Sequence, residues 1–289
     1  MTGIFILSLD TEIAWGTGTH ALARYAHCFD NYPTLLNRLV GLLDAYDIPA
    51  TWAVVAHLLI EPDDARALLR QPQAWYHAPY LLDTVCSAHA KHEIGTHTFS
   101  HVYTDDPAIT REVWRRELNT AAQIHRAHGL PMRSIVYPRN LVAYTDTLAD
   151  YGVVAYRGIE QNWYGNRRGA LHLLDRALGL PPPTYDPTGL KVAEKLVNLP
   201  ASQFLMAYDG VRGSIPTASR VRQAKWGLDS AVRRNHLYHL WFHPFNLGTS
   251  ERMFEALEHI LRDVARRRDA GQLRVMTMAG AADWILTNA

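Results

Sequence analysis

Apolar positions in this chain fall into two alternating patterns, short unbroken runs and longer stretches with helical spacing. Residues 4–9 (Ile-Phe-Ile-Leu-Ser-Leu) form the first run and read as a buried strand. Residues 33–46 follow with Leu35, Leu36, Leu39, Val40, Leu42 and Leu43 on one helical face. The same alternation predicts a strand at 50–55, a helix over 80–90 and a strand at 92–95. Asp105-Asp-Pro107 then opens a helix, with an N-cap carboxylate and a proline in its first turn, that runs to Gly129. A strand at 134–137, a helix over 143–151 and a strand at 153–156 come next. After a break, a helix spans 217–234, a strand 239–242, a helix 250–268 and a strand 273–277, and one more helix closes the chain. Strands alternating with amphipathic helices predict an α/β architecture with parallel strands. Residues 158–200 depart from the pattern, with Gly158, Gly165, Gly169, Gly179 and Pro181-Pro-Pro183 among aromatics. They read as a loop-rich excursion on the substrate side or at an interface, within one domain covering 1–289.

Residues with candidate chemistry cluster just past the predicted strands. Asp10 and Glu12, His97 and His101, Arg139 and His243 all occupy such positions. In parallel α/β folds that edge is where active sites assemble. One histidine pair among 15 histidines is weak by itself. Placed four apart on a helical turn, however, His97 and His101 face the same way. With one acid from Asp10 or Glu12 they make a two-histidine, one-carboxylate site with a second carboxylate to spare. A zinc-like ion that hydrolyses needs about three protein ligands and an open position. Residues i and i+2 of a strand share a face, so both acids can point into the site. Which of them is ligand and which is base stays open. The combination points to metal-assisted hydrolysis.

Four segments carry a family resemblance. His97-Thr-Phe-Ser-His101 resembles the His-(Ser/Thr)-x-x-His motif of the polysaccharide deacetylases (carbohydrate esterase family four, the NodB-homology domain). Ser8-Leu-Asp10-Thr-Glu12 is similar to that family's Thr-Phe-Asp-Asp motif. Val136-Tyr-Pro-Arg-Asn140 is similar to Arg-x-Pro-Tyr with the arginine moved past the proline, and Leu240-Trp-Phe-His243 to Leu-x-x-His. Order and spacing agree from residue 4 to 283.

The resemblance implies an irregular (β/α) barrel of the polysaccharide deacetylase type, with about seven strands where the regular form has eight. It implies a divalent ion, zinc first, with cobalt, nickel, manganese or iron as alternatives. The implied reaction removes an N-acetyl group from an amino sugar in a glycan, glycan precursor or glycosylated metabolite. His97 and His101 match the metal ligands, and Asp10 matches the general base. The family's second aspartate falls on Thr11, but branches with Asp-x-Glu place the ligand on Glu12. His243 matches the general acid, and Tyr137 stands where a backbone N–H meets the oxyanion. Arg139 either pairs with Asp10 or binds an anionic part of the substrate. The fourth motif is faint, with Glu160-Gln-Asn-Trp163 its nearest match and Asp229 a distant candidate to orient His243. His239 shares a strand face with His243, and Trp15 and Trp163 or Tyr164 are candidate sugar-stacking rings.

Bulk properties narrow the partners. A net charge of +1 over 289 residues gives no reason to expect nucleic acid or an anionic membrane. No apolar stretch reaches membrane-spanning length, and the first residues lack a basic leader and a small-residue cleavage site. The expectation is cytoplasmic, with oligomeric state left open. Cys28 and Cys86 fit no metal motif or disulfide framework and read as free buried thiols. Three rival functions remain: an amidohydrolase of a non-sugar C–N bond, a catalytically silent glycan-binding homologue and an Fe(II) oxygenase. The spacing and helical content argue against the oxygenase.

Overall fold

A computed structural model of the chain describes residues 2–61, 72–163, 165 and 169–288. Its first strand, β1 (Gly3–Thr11), is buried from end to end because each of its faces meets protein. Phe5, Leu7 and Leu9 join an outer core, and Ile4 and Ile6 join an inner one. The parallel strands β2 (Thr51–Val54), β3 (Glu93–Thr96), β4 (Ser134–Ile135) and β5 (Ala155–Tyr156) follow β1 side by side. β6 (Lys191–Ala193) and β7 (Leu196–Asn198) form an antiparallel hairpin, and β7 lies parallel to β5. β8 (Gln203–Phe204) lies parallel to β9 (Leu237–Phe242), which returns to β1. β10 (Leu273–Met276) pairs with the first half of β1.

The short stretch between β7 and β8 curls the sheet. Leu199 N–H donates to Tyr156 at 2.9 Å, and Ser202 N–H donates to His239 at 2.9 Å. One run of chain thus bridges β5 and β9, so the sheet wraps into a barrel of β1, β2, β3, β4, β5, β7–β8 and β9. This is the irregular (β/α) barrel read from the sequence.

Helices α2 (Tyr32–Ala45), α6 (Thr217–Arg234) and α7 (Glu251–Asp269) pack outside, where Leu36, Leu39, Leu228, Leu257 and Leu261 meet the outward residues of β1 and β9. Each such apolar side chain contributes about 1.5–3 kcal/mol on burial. Inside the barrel, Ile4, Ile6, Ala53, Val136, Ala155, Val197 and Leu237 form an apolar floor. α8 (Met278–Asn288) plugs that floor with Met278, Ala281, Ala282 and Ile285. The Met278 amide donates to Thr51 Oγ at 2.7 Å, which satisfies one of the open donors at the helix start.

Several local expectations need correction. α1 (Thr19–Asp30) lies where the apolar pattern predicts no element, and it buries Leu22, Cys28 and Phe29. α3 (Tyr80–Cys86) ends sooner than residue 90. α4 (Arg111–Ala127) starts after Asp105-Asp-Pro107, because Asp106 accepts from the Ala108 amide in a turn and Thr110 caps the helix through the Val113 amide. Residues 145–151 coil as a tighter 3₁₀ segment. The excursion holds α5 (Ala170–Leu178) and the β6–β7 hairpin. Cys28 is buried and free as expected, whereas the free Cys86 is exposed. No described helix is long and apolar enough to cross a membrane.

Two imidazoles outside the site give a pH dependence. Burial pushes His92 and His125 down to about 4 from 6.5. Both are neutral in the fold and take up protons on unfolding, so their contribution is full above pH 6.5 and is lost as pH falls toward 4. Urea midpoints are expected to drop between pH 7 and pH 4, with His125 alone supplying on the order of 2–3 kcal/mol. His125→Leu should flatten that slope, and an unchanged slope in the variant refutes this origin.

Candidate metal centre and active site

The alternation of a strand explains how the site is built. Along the inward face of β1 the residues run Ile4, Ile6, Ser8, Asp10, and Glu12 continues the series just past the strand. Along β9 they run Leu237, His239, Trp241, with His243 next. Each series is apolar at the floor and ionisable at the mouth. Thr11 has the opposite parity and bonds the Leu9 carbonyl instead.

Glu12, His97 and His101 present ligand atoms within 4.8 Å of one another, and all three residues are buried. Glu12 Oε2 lies 3.3 Å from His97 Nε2 and 2.7 Å from His101 Nε2. The histidines do not share a helical turn, contrary to the sequence reading. They sit on an irregular segment after β3 in which Thr98 and His101 both take positive φ, 66° and 59°. Convergence therefore comes from a twisted loop. Gly16 makes room for the result: a Cβ there would lie 2.1 Å from the His101 ring, and its φ of +73° also favours glycine.

The donor set fits a zinc-type ion. His97 Nδ1 donates to the Val136 carbonyl at 2.7 Å, which aims Nε2 at the site, 3.3 Å from Glu12 Oε2. Neither ring nitrogen of His101 has a hydrogen-bond partner although the residue is buried, and its 2.7 Å approach to Glu12 is not aligned as a hydrogen bond. Such an orphaned nitrogen facing a carboxylate is what a ligand looks like without its ion. Burial alone would raise the Glu12 carboxyl, but His243 and His101 outweigh it and hold the group well below the usual carboxylate range.

Asp10 lies outside this trio. Its two oxygens accept from the two terminal nitrogens of Arg157 at 2.6 and 2.7 Å. Burial opposes the charge, and Arg157 reverses that, so the carboxyl is lowered from 3.8. Arg157, just past β5, is fully buried, and four of its N–H donors are engaged. It also donates to Ser8 Oγ at 3.1 Å and Asn140 Oδ1 at 3.0 Å, and it lies 4.1 Å over the Trp241 ring. The partner that Arg139 was expected to be is therefore Arg157. Arg139 is exposed, takes a positive φ of 53° and stands 4.1 Å over the Tyr103 ring, with no bond to Asp10.

His243 Nε2 faces both acids, 3.4 Å from Glu12 and 3.9 Å from Asp10. Phe204, Trp241 and Phe245 surround its ring. Asn246 Nδ2 comes within 3.5 Å of its Nδ1, so the orienting neighbour is neither Asp229, which pairs with Arg267, nor Glu160, which pairs with Arg176. His239 lies between the Leu199 carbonyl at 3.1 Å and Ser8 Oγ at 2.8 Å. Burial pushes it down to about 3, so it is a neutral support beneath Arg157.

The Tyr137 amide follows the carbonyl that holds His97 and has no hydrogen-bond partner among the described residues. Its ring stacks on Trp114 at 5.2 Å. Trp15 is half-buried against His57 and Tyr76, and its indole N–H donates to the Tyr76 carbonyl. Trp163 is 61% exposed and tethered to Asp175 of α5, with no contact to the metal trio among the described residues. Tyr164 lies outside the described residues.

Comparison with known proteins agrees with this architecture. The model of the polysaccharide deacetylase family matches residues 23–153, which include the histidine pair but not Asp10, Glu12, Arg157 or His243. The structure of a putative polysaccharide deacetylase from Mycobacterium smegmatis is similar at TM-score 0.68 and 17% identity, covering 99% of this chain and 91% of that one. A probable polysaccharide deacetylase from Pseudomonas aeruginosa PAO1 is similar at 0.64 and 13%, covering 97% and 89%. The Puue allantoinase is similar at 0.64 and 14%, covering 99% and 90%. At these identities the solved structures speak for the fold. No curated protein matches. The resemblance to the polysaccharide deacetylases is thus shown by the family model over residues 23–153, and the fold by the solved structures.

Removing Arg157 tests the buried pair. Arg157→Met strands Asp10 without a partner and is expected to cost about 3–5 kcal/mol at pH 7. In the wild type the pair's contribution is full above the ordinary Asp value of 3.8 and is lost only as pH falls below it. In the variant burial raises the carboxyl, so its deficit in urea unfolding should be smaller at pH 5 than at pH 7. An equal deficit at both would point to lost packing alone.

Proposed function

Proceeding from a polysaccharide-deacetylase-like chain, we propose that this protein is a metal-dependent hydrolase, acting as one catalytic domain, that removes the N-acetyl group of an amino sugar. The supporting observation is the trio of Glu12, His97 and His101, three buried zinc-type donors whose ligand atoms lie within 4.8 Å of one another, with His97 Nδ1 held by the Val136 carbonyl and its Nε2 facing the site. Zinc suits the nitrogen-rich set best. A divalent ion bound there supplies Lewis acidity and an acidified water.

The remaining roles belong to the chain. Asp10, kept ionised by Arg157, takes the proton of the attacking water. The Tyr137 amide is free to donate to the oxygen of the acyl carbonyl as charge grows on it. His243, 21% exposed at the mouth and within reach of both acids, protonates the departing amine. Trp15 and Trp163 are the aromatic candidates for the sugar, with Trp163 the more open. The substrate follows as an N-acetylated sugar in a glycan, its precursor or a glycosylated metabolite. The fold likeness to an allantoinase supports a second reading, hydrolysis of a non-sugar amide at the same centre.

Acetate release from a panel of N-acetyl sugars by metal-loaded protein tests the proposal. Activity is expected to vanish on chelation and return with zinc. Asp10→Asn is expected to lose about 10²–10⁴ in kcat while keeping its metal. No acetate from any sugar, with turnover of a cyclic ureide, would move the assignment to the second reading. Normal turnover in Asp10→Asn would remove Asp10 from the base role.

A further inference from the structure

Arg139 is left over once the buried charges are matched. Asp10 has Arg157, and Glu12 has the imidazoles. Arg139 pairs with no carboxylate among the described residues, yet it stands at the mouth of the site. Its guanidinium covers the Tyr103 ring at 4.1 Å, and that ring meets His101 edge-on at 5.4 Å. Tyr103 is itself held, its hydroxyl donating to the Gly16 carbonyl at 3.1 Å.

The backbone at this point is costly. Arg139 and its neighbour Asn140 both take left-handed φ, 53° and 56°. A non-glycine residue there costs about 1–3 kcal/mol. A glycine would relieve that cost at position 139, so the arginine side chain is the reason to look for. The turn is pinned from below: Asn140 Oδ1 accepts from Arg157 Nε at 3.0 Å, and the Asn140 amide donates to the Tyr137 carbonyl at 2.8 Å. Arg157, which holds Asp10, thereby also fixes the turn that presents Arg139. The turn is hydrogen-bonded in the backbone, and the exposed side chain rests over the Tyr103 ring.

We propose that Arg139 anchors an anionic oxygen group of the substrate, a carboxylate or a phosphate, on the same sugar whose acyl group sits at Tyr137. A planar guanidinium anchored beside an aromatic ring carries a fork of donors that suits such an oxyanion. This rests on the acyl-sugar reading above and narrows it from N-acetyl sugars in general to acidic ones.

Calorimetric titration of the full chain tests the idea with three probes: N-acetylglucosamine, its 6-phosphate, and an N-acetylhexosaminuronic acid. Wild type is expected to bind at least one acidic probe about tenfold tighter than the neutral sugar. Whichever acidic probe shows the preference identifies phosphate or carboxylate. Arg139→Gln should lose the preference while binding the neutral sugar as before, and Arg139→Lys should restore part of it. Arg212→Gln, which alters an arginine paired with Asp209, should keep it. Equal or undetectable binding of all three probes to wild type would overturn the proposal, as would a preference that survives in Arg139→Gln. Acidic preference dependent on Arg139 without acetate release would leave this inference standing and sink the deacetylase reading instead.

Discussion

Two carboxylates only two residues apart, Asp10 and Glu12, are buried at the mouth of one barrel. Taking a carboxylate out of water costs several kcal/mol unless a cation and hydrogen bonds meet it. The structure answers the two differently. Asp10 receives a fixed guanidinium, itself held by Ser8, Asn140 and the Trp241 face. Glu12 receives imidazoles, whose charge depends on protonation or on a shared ion. A permanent partner makes a residue dependable in its charge, and a conditional one leaves room for a ligand. That asymmetry is why Glu12 is the ligand candidate and Asp10 the base candidate.

The barrel makes this asymmetry affordable by placing it at one end of a polarity gradient. Ile4 and Ile6 at the floor are sealed by α8, Ser8 and His239 form a neutral polar layer, and the charged layer begins only at Asp10. Neutral His239 accepts from Ser8, whose oxygen in turn accepts from Arg157, so the layer passes order upward without adding charge. Above it, loops take over. Positive φ at Thr98 and His101 shapes the loop that brings the two imidazoles to Glu12.

How much of this was legible in the sequence follows from what each residue depends on. Unbroken apolar runs gave β1, β2 and β9, and strand parity put Asp10 and Glu12 on one face. Helix α1 was missed because Thr-His-Ala-Leu-Ala-Arg-Tyr-Ala-His has only Leu22 as a strong apolar residue before Cys28 and Phe29. His97 and His101 lie close together on an irregular loop where the spacing predicts a helical turn, since positive φ at Thr98 and His101 carries no sequence mark. Arg157 had a signal: it follows Ala155–Tyr156 as directly as His243 follows β9. Arg139, two residues after Tyr137, is a nearer match to the family motif, and spacing alone does not show that it takes a positive φ and rests on Tyr103. The excursion looked shapeless because its order rests on polar contacts such as Trp163 to Asp175 and Arg176 to Glu160, which leave no periodicity.

The central claim is that one cation is shared by Glu12, His97 and His101. Anomalous diffraction at the zinc edge from crystals of zinc-loaded protein tests it most directly. A single strong peak about 2.0–2.1 Å from Nε2 of both histidines, with a Glu12 oxygen completing the set and Asp10 still on Arg157, is the expected result. A peak elsewhere, or a zinc-loaded crystal with none between these three side chains, would contradict the account.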